Sequence, residues 1–140
     1  MQDFYVRGER MKRNIYVLIL IAILVGVCIL EELLLKSTYS TLQGYSNELT
    51  VLFAQHKEEL NATQVVSKFD ETKAYWDNQK KLITYFTNYD KIRTIDESFI
   101  KLEEALDDND KSLALENLSI IKSSADSLHY FMGFNINNLF

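Results

Sequence analysis

Polar and apolar positions follow two different rules along this chain. From Ile15 to Leu30 (IYVLILIAILVGVCIL) sixteen consecutive residues are apolar or weakly polar and carry no charge. As a helix this run is about 24 Å long at 1.5 Å per residue, short of a hydrocarbon core of roughly 30 Å. Its flanks supply the rest. Glu31 and Glu32 suit the headgroup level, Leu33, Leu34 and Leu35 prolong the apolar face, and Tyr16 suits the opposite interface. The pattern predicts one transmembrane helix over residues 14–35.

Beyond it the apolar positions become periodic, as they do in amphipathic helices. A first helix of about 37–60 places Leu42, Tyr45, Leu49, Leu52, His56 and Leu60 on one face. Nothing breaks the chain between Leu35 and Ser37, so the spanning helix can run on into it, softened around Ser37 to Gly44. Asn61-Ala62-Thr63 has turn or cap chemistry and resets the phase. A second helix, 63–87, aligns Val65, Phe69, Thr72, Tyr75/Trp76, Gln79, Leu82/Ile83 and Phe86. Asn88-Tyr89-Asp90 then offers a stop and the next cap. A third, 91–106, carries Ile92, Ile95, Phe99, Leu102 and Leu106, with Arg93, Glu97, Lys101 and Glu104 outside. The acidic break Asp107-Asp108-Asn109-Asp110 follows, with Asp110 able to cap a fourth helix, 110–132. That helix buries Ala114, Leu118, Ile121, Ala125, Leu128 and Met132. After Gly133, a helix stop, the apolar Phe134, Ile136, Leu139 and Phe140 are too many for a free tail, and they are expected to fold back on the bundle or on a partner. The last two helices form a hairpin, but one hairpin is half a bundle and not a solenoid.

Composition agrees with this pattern. In 140 residues there is no proline and there are only four glycines, which leaves little support for hairpin sheets or phosphate-cradling loops. The length suits about one domain and not a multidomain enzyme. The expected fold is all-α: one N-terminal transmembrane helix, then a small antiparallel helical bundle on the extracytoplasmic side.

Charge sets the orientation. Arg7, Arg10, Lys12 and Arg13 precede the apolar run, whereas Glu31 and Glu32 follow it with only Lys36. The positive-inside rule keeps residues 1–13 in the cytoplasm as a basic tail and exports residues 36–140. Two rival readings share this start. A cleaved signal peptide wants small residues where the run ends, but Val27, Cys28, Ile29 and Leu30 stand there. A lipoprotein signal is faintly suggested by Val25-Gly26-Val27-Cys28, yet Val27, before the cysteine, is branched. Cys28, the single cysteine, is therefore read as a small apolar side chain facing lipid or a neighbouring helix, with no disulfide available inside the chain. Residues 31–140 hold eleven Lys and Arg against eighteen Asp and Glu, a net charge of −7. That argues against nucleic acid and acidic lipid as partners, since phosphate-gripping domains carry basic patches.

The helix centred on Trp76, with Lys80-Lys81-Leu82 behind it, then Asp90-Lys91-Ile92, the acidic break at Asp110, the Leu-rich last helix and the ending Asn138-Leu139-Phe140 form a series behind the apolar anchor. In this series the chain resembles the bacterial family designated domain of unknown function 4363 over essentially its whole length. The resemblance implies a helical, membrane-anchored protein of a bacterial cell envelope. It implies no activity, cofactor or catalytic residue.

The residues themselves offer little chemistry. Asp126 and His129 stand at i and i+3, half of a metal pair, but the second Asp/Glu-x-x-His of a di-iron bundle is missing. Asp108, Asp110 and Ser112 alternate as in a calcium loop, yet Leu113 and Ser119 occupy the places where an EF-hand needs Gly and Glu. No serine sits in a Gly-x-Ser-x-Gly elbow, and the sequons at Asn61 and Asn117 carry no weight in a bacterial protein. No enzyme, cofactor or metal is expected.

The densest unexplained feature is aromatic: Tyr75, Trp76, Tyr85, Phe86 and Tyr89 within fifteen residues. One reading is core packing for Trp76 and Phe86, with the tyrosines at the wet edge. The other is an anchor patch for a protein or the membrane interface, formed by Tyr75, Trp76, Tyr85 and Tyr89 together with Phe134 and Phe140 of the tail. The chain is therefore expected to be a membrane-anchored extracytoplasmic interaction module. It contacts lipid through residues 14–35 and serves another membrane or envelope protein, with homo-oligomerisation left open. The alternative is a helical domain that senses a ligand or cation and is coupled to a membrane partner. About thirteen cytoplasmic residues are too few for a signalling output, which favours the first.

Overall fold

The structure, a computed structural model, describes residues 2–56 and 59–130, with side chains over 13–56 and 59–128. The described residues form four helices and no strand: α1 (Gln2–Gln55), α2 (Thr63–Ile83), α3 (Tyr89–Asp107) and α4 (Lys111–Tyr130). They divide into two units, one reaching to Leu33 and the other starting at Leu34.

In the first unit the helix is apolar on every side. Ile15, Leu18, Ile21 and Leu24 are all exposed, and the most apolar stretch has a mean hydropathy of 2.8 with none of it buried. A helix apolar all round belongs in a protein core or in a membrane, and this one is long and apolar enough to cross a bilayer. No break occurs at Ser37–Gly44, since α1 is helical throughout. Gly44 is solvent-exposed with no atom within 4 Å of where a Cβ would stand, so it costs the helix only its low propensity, about 1 kcal/mol relative to Ala.

The second unit has a single core, to which all four helices contribute. In α1 the buried stripe is Leu35, Thr38, Leu42, Ser46, Leu49 and Phe53. The face expected from apolar spacing shares Leu42 and Leu49 with it, whereas Tyr45, Leu52 and His56 lie half-buried on its flank. The difference arises because two hydroxyl residues face inward. Thr38 hides its polar atom by donating Oγ1–H to the Leu34 carbonyl at 2.9 Å, a bond within its own helix. The α2 core positions are Val65, Phe69, Thr72, Trp76 and Ile83. In α3 all five apolar positions of the expected stripe are buried, and in α4 so are Ala114, Leu118, Ile121, Ala125 and Leu128. Met132 lies outside the described residues.

Side chains fix the starts of α3 and α4. The Asn88 carboxamide oxygen accepts the Asp90 N–H at 2.9 Å and caps α3, and Asp110 Oδ1 accepts the Leu113 N–H at 3.0 Å at the start of α4. At α2 the cap position is Ala62, which makes no side-chain bond. Asn109 turns the chain between α3 and α4 in the left-handed region, φ 56°, which asparagine tolerates better than most residues. Its Oδ1 also accepts the Leu60 N–H at 2.6 Å, so one residue ties the α3–α4 turn to the α1–α2 connection. Leu60 is fully buried. Asn109→Ala therefore leaves a buried N–H without that acceptor and adds left-handed strain, and is expected to cost about 2–3 kcal/mol. Thermal unfolding of the full chain in detergent checks this.

Candidate interaction surface

The aromatic cluster separates into three environments. Trp76 is 1% exposed, and its indole Nε1–H donates to Asp96 Oδ1 of α3 at 2.6 Å. The same carboxylate oxygen accepts from Lys80 Nζ at 3.1 Å, while Lys80 also pairs with Asp77 at 2.8 Å. The hydrogen bond that Lys80 donates to Asp77 raises the Lys80 pKa, burial works against it, and Asp96 adds to the rise. Trp76 is thus a core residue whose single polar atom reaches a charged edge, and its ring is withdrawn from any contact surface.

Tyr75 is half-buried and meets Tyr45 of α1 edge-on, with ring centroids 5.6 Å apart and planes at 88°. Lys68 sits over the Tyr45 ring at 4.2 Å and pairs with Glu48 at 2.5 Å and Glu71 at 3.0 Å. Burial pulls the Lys68 pKa down, but the hydrogen bonds it donates to Glu48 and Glu71 more than reverse it. Glu71 is held below its ordinary value, chiefly by the hydrogen bond from Lys68. The Tyr45 phenol is raised, first by desolvation and then by its hydrogen bond to Glu71. This belt joins α1 to α2 and leaves little of Tyr75 for a partner.

Tyr85 and Tyr89 are 82% and 67% exposed, and Leu82 beside them is 53% exposed. They flank the α2–α3 turn, with Phe86 half-buried between them. Three elements of the expected surface thus behave differently: Trp76 lies inside, Tyr75 at a packed edge, Tyr85 and Tyr89 in the open. Phe134 and Phe140 lie outside the described residues, as do the side chains of Arg7, Arg10, Lys12 and His129, while Arg13 is exposed.

A concavity that apolar spacing does not announce runs between α1 and α4. It has a volume of about 360 Å³ and is lined by Tyr39, Gln43, Leu115, Lys122 and Asp126, among others. Gln43 Nε2 donates to the Lys122 carbonyl at 3.4 Å, and Lys122 Nζ donates to Asn47 Oδ1 at 2.8 Å. These residues sit on helix flanks, where polar and apolar positions mix, so no periodic signal marks them. Among the described residues no group of three or more His, Cys, Asp or Glu side chains is placed to hold a metal ion.

The family model for a domain of unknown function (DUF4363) matches residues 34–139. The chain belongs to this family. The match begins at the residue where the second structural unit begins. The core, the tyrosines and the groove are therefore features of the DUF4363 domain, and the exposed apolar segment lies before it. No curated protein and no solved structure matches the chain.

Proposed function

We propose that this chain is a single-pass membrane protein anchored by residues 14–35, with its basic start in the cytoplasm. Its DUF4363 domain is an antiparallel helical bundle on the extracytoplasmic side of a bacterial plasma membrane. There it works by contact, as an accessory to another membrane or envelope protein, and performs no catalysis.

The observation that carries this reading is that no residue from Ile15 to Leu33 is buried, whereas Leu35, at the end of the expected span, closes the bundle core. A soluble core helix of that composition would be covered by protein, and lipid is the other medium that satisfies it. The antiparallel arrangement is supported by side-chain links between successive helices. Glu48 reaches Lys68, Trp76 reaches Asp96, and Lys91 reaches the Ser127 carbonyl at 2.9 Å. Action by contact is supported by the fate of the buried polar groups. Thr38, Thr72, Ser98 and Asn117 each bond a carbonyl of their own helix, and the remaining one, Ser46, stands alone in α1 with its hydroxyl unpartnered, so they do not converge on a substrate.

The α1–α4 groove is the surface offered to a protein partner. A photoreactive side chain at Leu115, which is 38% exposed at the groove, is expected to give a discrete protein adduct in native membranes. The double change Leu115→Asp and Ser119→Lys is expected to abolish that complex while helicity is retained. Absence of any protein adduct from Leu115 in a membrane-inserted chain overturns the partner reading. The second reading, a small-molecule sensor, is favoured by the groove's volume, which falls within the roughly 300–1,000 Å³ of ligand pockets. A small molecule retained by the purified chain in native mass spectrometry, without a protein adduct, selects it.

A further inference from the structure

We propose that the segment Phe134 to Phe140 folds back across the α2–α3 end of the DUF4363 domain and covers Leu82, Tyr85 and Tyr89, so that the aromatic patch and the apolar tail are each other's partner. Both belong to the second unit, and neither the membrane reading nor the groove's partner enters the contact.

The patch differs from the rest of the bundle surface. Val51, Val66, Ile100 and Leu115 are also exposed, one on each helix, and apolar residues scattered in this way are ordinary. Leu82, Tyr85 and Tyr89 instead fall within eight positions around a single turn, and all three are exposed. Lys80 and Arg93 beside them are already paired, Lys80 with Asp77 and Asp96 and Arg93 with Asp90 and Glu97. An uncharged apolar segment suits such a patch, and Phe131 to Phe140 contains no Asp, Glu, Lys or Arg.

The segment starts close to the patch. Lys91 Nζ, near the start of α3, donates to the Ser127 carbonyl at 2.9 Å, which sets the end of α4 beside the start of α3. α4 is described to Tyr130, three residues or about 4.5 Å of helix beyond Ser127, and Tyr89 opens α3 two residues before Lys91. Residues 131–140 lie outside the described residues. Beyond Gly133, the helix stop read in the sequence, seven extended residues reach about 23 Å, enough to cross two neighbouring helices spaced roughly 8–10 Å apart. In an extended chain Phe134, Ile136 and Phe140 fall on one side and Asn135 and Asn137 on the other, and only Asn138 and Leu139 depart from the alternation. The apolar side then meets the patch while the amides keep to water, and Phe against Tyr allows the edge-to-face contacts that aromatic rings favour. The family match runs to residue 139, which makes the segment part of the domain and not an appendage to it. Tethered at Tyr130, it needs little intrinsic affinity, because its effective concentration at the patch is on the order of millimolar.

The test uses the full chain with Cys28→Ala in phosphatidylcholine nanodiscs. Under mild oxidation Tyr85→Cys/Ile136→Cys and Tyr89→Cys/Ile136→Cys are expected to close a disulfide within one chain. Ser112→Cys/Ile136→Cys, whose first cysteine stands at the other end of α4, is expected not to. Because the contact is apolar, the yield should hold in high salt. Hydroxyl-radical labelling of Tyr85 and Tyr89 is expected to rise severalfold when the chain is ended at Met132 or carries Phe134→Asp/Ile136→Asp, with Ile100 and Leu115 unchanged. Absence of both disulfides overturns the contact, whatever truncation does to stability. Disulfides formed only between chains assign the patch to a second copy and overturn it, as does tyrosine labelling that is the same with and without the segment. A rise at Leu115 in place of the tyrosines puts the segment in the α1–α4 groove and also overturns it. Tyrosines that stay protected in native membranes after the segment is removed are covered by another protein, which overturns it too. None of these readouts needs a partner or a particular side of the membrane, so failure here leaves the function proposed above standing.

Discussion

Trp76→Ala is expected to lower the unfolding free energy of the DUF4363 domain by about 3–5 kcal/mol, the range for removing a buried large aromatic side chain. The ring is 1% exposed in the shared core, so its removal opens a cavity among α2 and its neighbours and also strips Asp96 of its 2.6 Å donor. The two losses separate experimentally. Trp76→Phe keeps most of the apolar volume and loses the N–H, and is expected to cost about 1–3 kcal/mol. Asp96 keeps Lys80 in that variant, which holds the loss at the lower end. Denaturant unfolding of the full chain in detergent, followed by helicity, measures both. A surface aromatic would give a change within about 0.5 kcal/mol. Such a result for Trp76→Ala would return the ring to the contact surface from which its burial removes it.

Legibility in the sequence depended on how cleanly each helix separates its faces. α3 is the clearest case: Ile92, Ile95, Phe99, Leu102 and Leu106 are apolar, their outward neighbours are charged, and all five are buried. The caps Asn88 and Asp110 were equally legible, because a short polar side chain before a periodic run has a local task independent of the rest of the fold. In α1 the reading slipped by part of a turn. Thr38 and Ser46 occupy core positions, and a rule that equates polar with outside passes over them. Phe53 was missed for the same reason, since the stripe it completes runs through those hydroxyls, whereas Leu35 was read as the end of the spanning segment and instead closes the core. In α2 the aromatic cluster read as one surface, but periodicity assigns only a face. Trp76 at the centre of that face is covered, and Tyr75 lies one residue off it against Tyr45, while α2 stops at Ile83 and not at 87, so that Tyr85 falls in the turn and Tyr89 opens α3, both exposed. The α1–α4 groove had no sequence signal at all, because it is the gap left by two flanks and not a property of either helix.

The other large effect concerns orientation, and it is all or none. A cysteine at Ser112, in a Cys28→Ala background, is expected to react with a membrane-impermeant thiol reagent in intact cells whose outer wall is porous. One at Gln2 is expected to react only after the membrane is permeabilised. Ser112 is exposed, so lack of labelling there reports sidedness and not burial. The physical cause is the charge asymmetry of the two flanks: Arg7, Arg10, Lys12 and Arg13 resist transfer across the membrane, whereas Glu31 and Glu32 contribute little to orientation. Neutralising the four cations to Asn should accordingly lower the fraction of chains labelled at Ser112→Cys. The same labelled chain, run at its full mass, distinguishes an anchor from a cleaved signal, since cleavage after the apolar run would remove residue 2 but leave residue 112. Labelling at Gln2→Cys in intact cells with protection at Ser112→Cys would reverse the topology and place the DUF4363 domain, with its groove and its tyrosine end, in the cytoplasm.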